Sequence, residues 1–526
     1  MADFTKLNGY YAEDKTGREQ LSDLKAYIGY NEPDIYGLCA DFENSTFTRL
    51  AGAKNKTPAN FNSIAPWGNM KRCILADNGT VVAYYGEQGY VEDGTAGQVM
   101  VEIPKFYYRV VPLKLQPQSW EDYEATDWTA SKSYAVGDVV IYNSSYYACI
   151  TANSDAEFTP AKWQEITEMG LTGYHLLKAN YYVSATKYDG FKTHPLFVRP
   201  DGTERNYAYI SAYEGCIYDV SASAYLLNDE QVADITASTG DKLSSIGGTF
   251  ERSYTYYDKT NDTDVTITVN AGAKPCSGET ASNMLTRPNM TKLAHNRGTG
   301  WEQQTIEATS AIQLLYAIEY ASFNWQNTLG AGVTSITDDG KKNCSNFVGS
   351  TASLGNASGA ASSTIDRTGT TQTANGKVSV SYRGIENFFG NVYKWVEGVT
   401  FYGAYNNGGG KVFICTDGVY TENKATGNYE ATGFTVANKN QYVKYFGYGK
   451  EKYDWLFLTS KTGHGANTSI PVGDYTYVTA NLNGSRVSFF GGSWSNGGNA
   501  GGCYWLLSYG SGHRIRYIGG RLLYLG

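Results

Sequence analysis

Five histidines are spread over 526 residues, with no HExxH pair and no His/carboxylate cluster, so the usual spacing for a catalytic zinc is missing. A Walker loop, a GxSxG elbow and a Gly-rich dinucleotide fingerprint behind a strand are missing too. Carboxylates gather at Asp338-Asp339 and over 258–264. Their loop-like surroundings read as solvated acidic turns, not as a hydrolytic dyad, and the EF-hand pattern for calcium is absent. Eight cysteines lie at 39, 73, 149, 216, 276, 344, 415 and 503, none in CxxC spacing. They read as reduced, mostly buried thiols of a protein made in the cytoplasm. The chemistry left is that of binding. The chain holds 45 Tyr and 59 Gly, and Tyr with Gly, Asn, Ser and Thr suits both twisted strands with turns and adaptable contact surfaces. The expectation is a non-enzyme without metal or cofactor.

The elements that must position such a surface are mostly strands. At about 100 to 200 residues per domain, the length predicts three or four domains. The balance of 43 basic against 51 acidic residues, net −8, argues against a nucleic-acid partner held through phosphates. No run approaches 18 apolar residues, so no membrane insertion is expected. The charged stretch from Met1 to Gly29 lacks the apolar core of a signal peptide. Residues 16–28 have helical spacing, with Leu21, Leu24 and Ile28 on one stripe and Thr16 and Glu19 spaced as a capping box. Short alternating strands broken at Asp77-Asn78-Gly79 and Asp93-Gly94 follow, and Ile103 to Tyr108 reads as one strand with Pro near its start. The strongest helical pattern spans 305–327, with Ala311, Leu314, Leu315, Ile318, Ser322 and Trp325 on one face. Residues 349–376 read as a long surface loop. The apolar run to the last positions predicts a paired, buried final strand. The fold class is β-rich α+β.

Gly384-Ile385-Glu386-Asn387-Phe388-Phe389-Gly390-Asn391-Val392-Tyr393-Lys394-Trp395 and, a hundred residues on, Phe490-Gly491-Gly492-Ser493-Trp494 resemble two motifs of the formylglycine-generating-enzyme branch of the C-type lectin fold. Asn296 to Trp301 fits the family order. Trp395, Trp494 and the glycines read as scaffold. The catalytic cysteine pair of that branch does not carry over, since Cys503 stands alone, and neither does a three-His iron site. The segment 493–517 resembles instead the variable region of retroelement-diversified proteins of the phage tropism-determinant type. In that resemblance Gly491, Gly492, Trp494, Asn499, Ala500, Gly501 and Ile518 to Leu522 form the frame. The exposed, ligand-binding positions would be Ser493, Ser495, Asn496, Tyr504, Trp505, Ser508, Tyr509, Ser511, His513, Arg514, Arg516 and Tyr517.

Between 119 and 167, Trp128, Tyr134, Gly137-Asp138-Val139-Val140, Tyr142, Tyr146-Tyr147 and Trp163 resemble a small chitinase-type carbohydrate-binding module, without its usual Trp pair. The resemblance makes Trp128 and Tyr146 its sugar-stacking candidates. Asn8-Gly9-Tyr10-Tyr11 with Gly17-Arg18-Glu19 is similar to the attachment segment of phage tail proteins. The resemblances imply a virion-attachment and trimerisation region at 1–95, a C-type-lectin-like domain over 96–118 and 168–526, and an inserted module at 119–167. They imply a phage-tail receptor-binding protein, homotrimeric, seated on other virion tail proteins and adsorbing to a bacterial surface protein or glycan. The alternative is a structural baseplate or decoration protein.

Overall fold

A computed structural model describes residues 17–119, 122, 125–167, 173–228, 234–235, 240–278, 285–403, 410–421, 427–478 and 484–526. Residues 8–15 of the attachment-like segment, and Thr16 of the capping box, lie outside the described residues. What is described is rich in strands and carries few helices, as the composition implies.

Among the described residues the largest sheet has fourteen strands. Its main path runs Lys192–Thr193, Tyr107–Pro117, Tyr174–Ser184, Gln441–Tyr448, Tyr475–Val478, Trp505–Tyr509, Gly484–Phe490, Tyr393–Gly403, Lys411–Cys415 and Tyr429–Thr435. A six-stranded sheet runs Trp301–Gln303, Leu522–Tyr524, Tyr207–Ser211, Gln98–Pro104, Lys71–Leu75 and Val81–Tyr84. The final strand is therefore internal, with Leu522 and Leu523 fully buried. Pro104 does not open a strand over Ile103–Tyr108. It ends one, because its ring removes the donor the ladder needs next. Lys105 N then bonds to Asn206 O at 2.8 Å, and a new strand begins at Tyr107 in the other sheet.

Helix α1, Gly17–Ile28, does not bury the end of the expected stripe at Ile28. Ile28 is 64% exposed, while Ser22 and Ala26 are buried. The small residues let the helix approach the Tyr174–Ser184 strand. There Asn180 Nδ2 and Tyr182 OH donate to Ala26 O, at 3.2 and 3.1 Å, satisfying a helix-end carbonyl. Helix α2 is Arg287–His295, and the 305–327 pattern is two further helices. Thr305 caps α3, Ile306–Tyr320, Ala321 turns left-handed at φ 49°, and Asn324 caps α4, Trp325–Leu329. Helix α3 is buried all round instead of on one face. Its polar residues survive there because each has a partner: Gln313 Nε2 donates to Gly502 O at 2.8 Å, and Glu319 pairs with Arg383 at 2.7 Å.

Residues 349–376 are more than a surface loop. Gly359–Ala360 pairs with Val380–Tyr382, and Thr364–Ile365 with Thr371–Gln372. Thr351 is buried, and its hydroxyl accepts from the buried Arg72 at 2.9 Å.

Pro117 faces Tyr174 at one end of the antiparallel ladder, and Gln118 N donates to Gly173 O at 3.0 Å. Between these neighbouring strands the chain makes a separate sheet, ordered Trp163–Glu165, Ser145–Cys149, Val139–Tyr142 and Thr126–Asp127. It closes over its own cluster of Tyr134, Val140, Cys149 and Trp163.

Candidate functional site

The two C-terminal motifs meet as adjacent strands, with Lys394 opposite Phe490 and Trp395 opposite Phe489. Gly390 N donates to Gly491 O at 3.0 Å and Trp494 N to Asn391 O at 2.9 Å. Gly390, Gly491 and Gly492 have φ of 75°, 90° and 80°, the region L side chains avoid. Behind this crossing Lys394 and Glu214, both without solvent exposure, pair at 2.8 Å. Burial pulls the Lys394 ammonium down to about 8, against the attraction of Glu214. Trp395 and Trp494 are fully buried.

This frame divides the candidate binding positions. Tyr504 and Trp505 are both 0% exposed and cannot meet a ligand, contrary to expectation. Trp505–Tyr509 is an inner strand flanked by Tyr475–Val478 and Gly484–Phe490. Trp505 drives into the main core, where Nε1 donates to Phe457 O at 2.9 Å. The hydroxyls of Tyr504 and Tyr393 share a hydrogen bond of 2.7 Å. Ser493 and Ser511 are also buried. Ser493 N and Oγ donate to Asn496 Oδ1 at 2.7 and 2.9 Å, so this pair shapes a turn. Ser495 and Tyr509 are exposed, and Asn496, Ser508, His513, Arg514, Arg516 and Tyr517 are half-buried.

A bulge places Tyr509 opposite Val487 and Leu506 opposite Phe489, so both side chains reach the same outer face. There Tyr509 stacks on His513 at 4.0 Å with 11° between planes. Burial, and then the Arg514 charge, hold His513 below its ordinary pKa, so the stacked ring is neutral at pH 7.

Three tyrosines outside 493–517 join this face. Tyr442 lies 5.2 Å from Tyr475, Tyr475 4.9 Å from Tyr477, and Tyr477 6.1 Å from Tyr504. Tyr442, Tyr475 and Tyr477 are half-buried, and the ring series continues through Tyr393 to Tyr517 at 5.5 and 5.9 Å. The signal was present as Tyr475-Thr476-Tyr477-Val478, the alternation of a half-exposed strand. Its neighbours could not be read, because its pairing with Trp505–Tyr509 is non-local and parallel.

Arg516 faces inward to acids. It pairs with Asp338 at 2.8 Å and Asp339 at 3.6 Å, and Arg367 reaches Asp339 at 3.0 Å. Asp338-Asp339 is thus no solvated turn, since Asp339 is 4% exposed. Two guanidiniums offset the cost of burying it. Asp338, Asp339 and Cys344 bring ligand-type atoms within 4.8 Å of one another. The arginines already neutralise these carboxylates, and burial pushes the Cys344 thiol up to about 12. The 258–264 acids do behave as an exposed turn, with Asp262 reaching Lys341 at 3.1 Å. Cys503 is fully buried. Burial, and then Asp474, raise its thiol well above the ordinary range, so it is not a poised nucleophile.

In the separate sheet, Val140 opposes Tyr147 and Ile141 opposes Tyr146. Successive residues alternate faces, which puts Tyr146 on the side away from Val140. Trp128 packs with the opposite side, 5.8 Å from both Tyr142 and Phe158. The two stacking candidates are not brought together.

No protein-family model matches the chain, and no curated protein matches it. Among solved structures it is similar to a Major Tropism Determinant P3c variant, at 10% identity and TM-score 0.24, over 88% of each chain. It is also similar to a Major Tropism Determinant I1 variant, at 12% identity and TM-score 0.21, over 92% of this chain and 93% of that one. At scores this low the likeness establishes neither a shared fold nor a shared function. No helix among the described residues is long and apolar enough to cross a membrane.

Proposed function

We propose that this chain is a receptor-binding protein of a phage tail tip, adsorbing to a bacterial surface protein or glycan through the outer aromatic face of a C-type-lectin-like domain. The observation that carries the reading is the continuous run of half-exposed tyrosines, Tyr442, Tyr475 and Tyr477, beside the stacked Tyr509 and His513. Tyrosine gives large contact area and a hydroxyl at low entropic cost. The frame residues beneath hold the face, while Ser495 and Tyr509 are exposed and present side chains that can change without loss of fold. That separation suits diversification by a retroelement. The face makes or breaks no bond. In this reading residues 1–95 attach the chain to other tail proteins, 96–118 with 168–526 form the binding domain, and 119–167 is an inserted module. A homotrimer is expected, because several weak faces acting together gain roughly 10²- to 10⁴-fold in avidity.

The test is adsorption of the purified chain to candidate host cells, compared with a variant carrying Tyr442→Ala, Tyr477→Ala, Tyr509→Ala and Arg514→Ala. Loss of roughly tenfold or more, the scale of a hot-spot cluster, with an unchanged circular dichroism spectrum, is the expected result. Undiminished adsorption by the variant overturns the assignment of the face. A wild-type chain that leaves cells unbound while this face is buried in the assembled particle points to a baseplate or decoration protein instead.

A further inference from the structure

A cavity of about 540 Å³ opens between the 195–205 segment, the first turn of α3, the 414–420 turn and residues 452–455. Its size lies within the range of small-ligand sites. It shares no residue with the tyrosine face. Leu196, Ile414 and Trp455 give it apolar walls, and Arg205, Glu307 and Tyr420 bring polar groups to it.

The charges in this cavity are under-used. Arg205 spends one donor on Leu196 O, at 2.8 Å. Glu307 takes a hydrogen bond from the cap residue Thr305. Among the described residues no ion pair within 4 Å is made by either, although both contribute to the same lining. Burial pushes the Glu307 carboxyl up, and burial, followed by Arg199, pushes the Arg205 guanidinium down. Each feels the other's charge, and Tyr420 also attracts Arg205, but two desolvated, opposite charges held beyond ion-pair distance are costly unless something hydrogen-bonds to both. A ligand carrying only a carboxylate or only an ammonium would satisfy one and repel the other, and a small zwitterion such as alanine, which could pair with both, leaves the apolar and aromatic walls unused. The wider lining cancels in the same way, with Arg199 and Lys452 set against Glu302 and Asp417. A neutral ligand that donates to Glu307, accepts from Arg205 and lays a C–H face on apolar or aromatic walls fits every group at once.

We infer that this cavity is a second ligand site, taking a neutral saccharide unit between Arg205 and Glu307. The inference does not rest on the receptor reading, since a chain that adsorbs to no cell can still bind sugar here. Saturation-transfer NMR and calorimetry on the full chain test it, with glucose, N-acetylglucosamine, glucuronate and alanine as probes. Glucose or N-acetylglucosamine should bind with a dissociation constant on the order of 1 mM, the scale for so small a ligand. Glu307→Gln and Arg205→Met should each weaken binding roughly tenfold, the loss of one charged hydrogen bond. Tyr477→Ala with Tyr509→Ala should leave it unchanged. The near-isosteric Glu307→Gln keeps the test open should Arg205→Met lower the melting midpoint. Absence of neutral-sugar binding overturns the inference. So does sugar binding indifferent to both pocket variants, or binding of glucuronate or alanine alone.

Discussion

Trp505 and Tyr509 open and close one strand, yet one is wholly enclosed and the other 40% exposed. Trp505→Ala should therefore cost about 3 to 5 kcal/mol, because it empties a core site and orphans Phe457 O. Tyr509→Ala should stay within about 1 kcal/mol. Urea titration of the two variants separates them, and equal costs would contradict the placement of the strand. Buried acids set a pH dependence by the same reasoning. Burial raises Glu386 to about 6, against hydrogen bonds from Thr351 and Gly349 and the Arg72 charge. Burial raises Asp454 to about 6 as well, opposed by Lys192 and Tyr108. Carboxyls whose folded pKa exceeds the unfolded value bind more protons in the native state, so the stability these two contribute should rise as pH falls from about 7 to 5. Each adds on the order of 1 kcal/mol. Asp122 runs the other way. Burial raises it, but hydrogen bonds from His175 and Lys461 outweigh that and hold it at about 2. Its contribution is present above the unfolded value near 3.8 and is lost as pH falls through 2. The fully buried His194 opposes the two raised acids, because burial pulls its pKa down to about 3 and its share of stability is lost as pH falls below about 6.5. The acids are therefore read by difference: between pH 7 and 5 the melting midpoint of a Glu386→Gln, Asp454→Asn variant should fall relative to that of the unsubstituted chain, and parallel curves would remove both acids from the account.

Single elements carry the frame, and the strand–turn motifs show how. Gly492 sits at φ 80°, and a Cβ there would lie 2.7 Å from Ala500 Cβ and 3.0 Å from its Cα. Gly492→Ala combines backbone strain with overlap, so it should destabilise by about 1 to 3 kcal/mol. A midpoint in urea that does not move would place the close approach elsewhere. Glycines of this kind were legible in the sequence because only one residue type suits such a turn. The buried C-terminal strand was legible from its unbroken apolar run. The break in α3 was not, because Ala321 turns left-handed without a glycine to mark it while the apolar spacing continues to Trp325. The apolar stripe assigned to α1 failed for a different reason. A periodic pattern says which residues share a face, but docking was decided by Asn180 and Tyr182, more than 150 residues away. The binding face was half legible. Tyr509, His513 and Arg514 belong to the local segment, whereas Tyr442, Tyr475 and Tyr477 join it only through strand pairing. Tyr504 and Trp505 have the right residue types for a contact surface and the wrong position.

At the scale of the whole chain, the separate four-stranded sheet hangs from two neighbouring strands whose ends already meet. Gln118 N donates to Gly173 O, so replacing residues 119–172 by Asn-Gly should close the hairpin with a two-residue turn. The loss to the body is specific. Asp122 leaves Lys461 and the fully buried His175, which it holds at 2.8 and 2.9 Å. His175 keeps its second hydrogen bond, to Ser460 Oγ at 2.8 Å, and its freed nitrogen gains water. The main unfolding midpoint should therefore drop by no more than roughly 4 °C, the equivalent of about 1 to 2 kcal/mol in a body of this size. Adsorption should persist undiminished, because the tyrosine face lies on strands that the excision does not touch. A shortened chain that folds but no longer adsorbs would move the receptor site to the excised sheet, where Trp128 and Tyr146 would each have to act from its own side. A collapse of the main transition would mean instead that the sheet braces the Tyr174–Ser184 ladder, and that the chain folds as one unit through it.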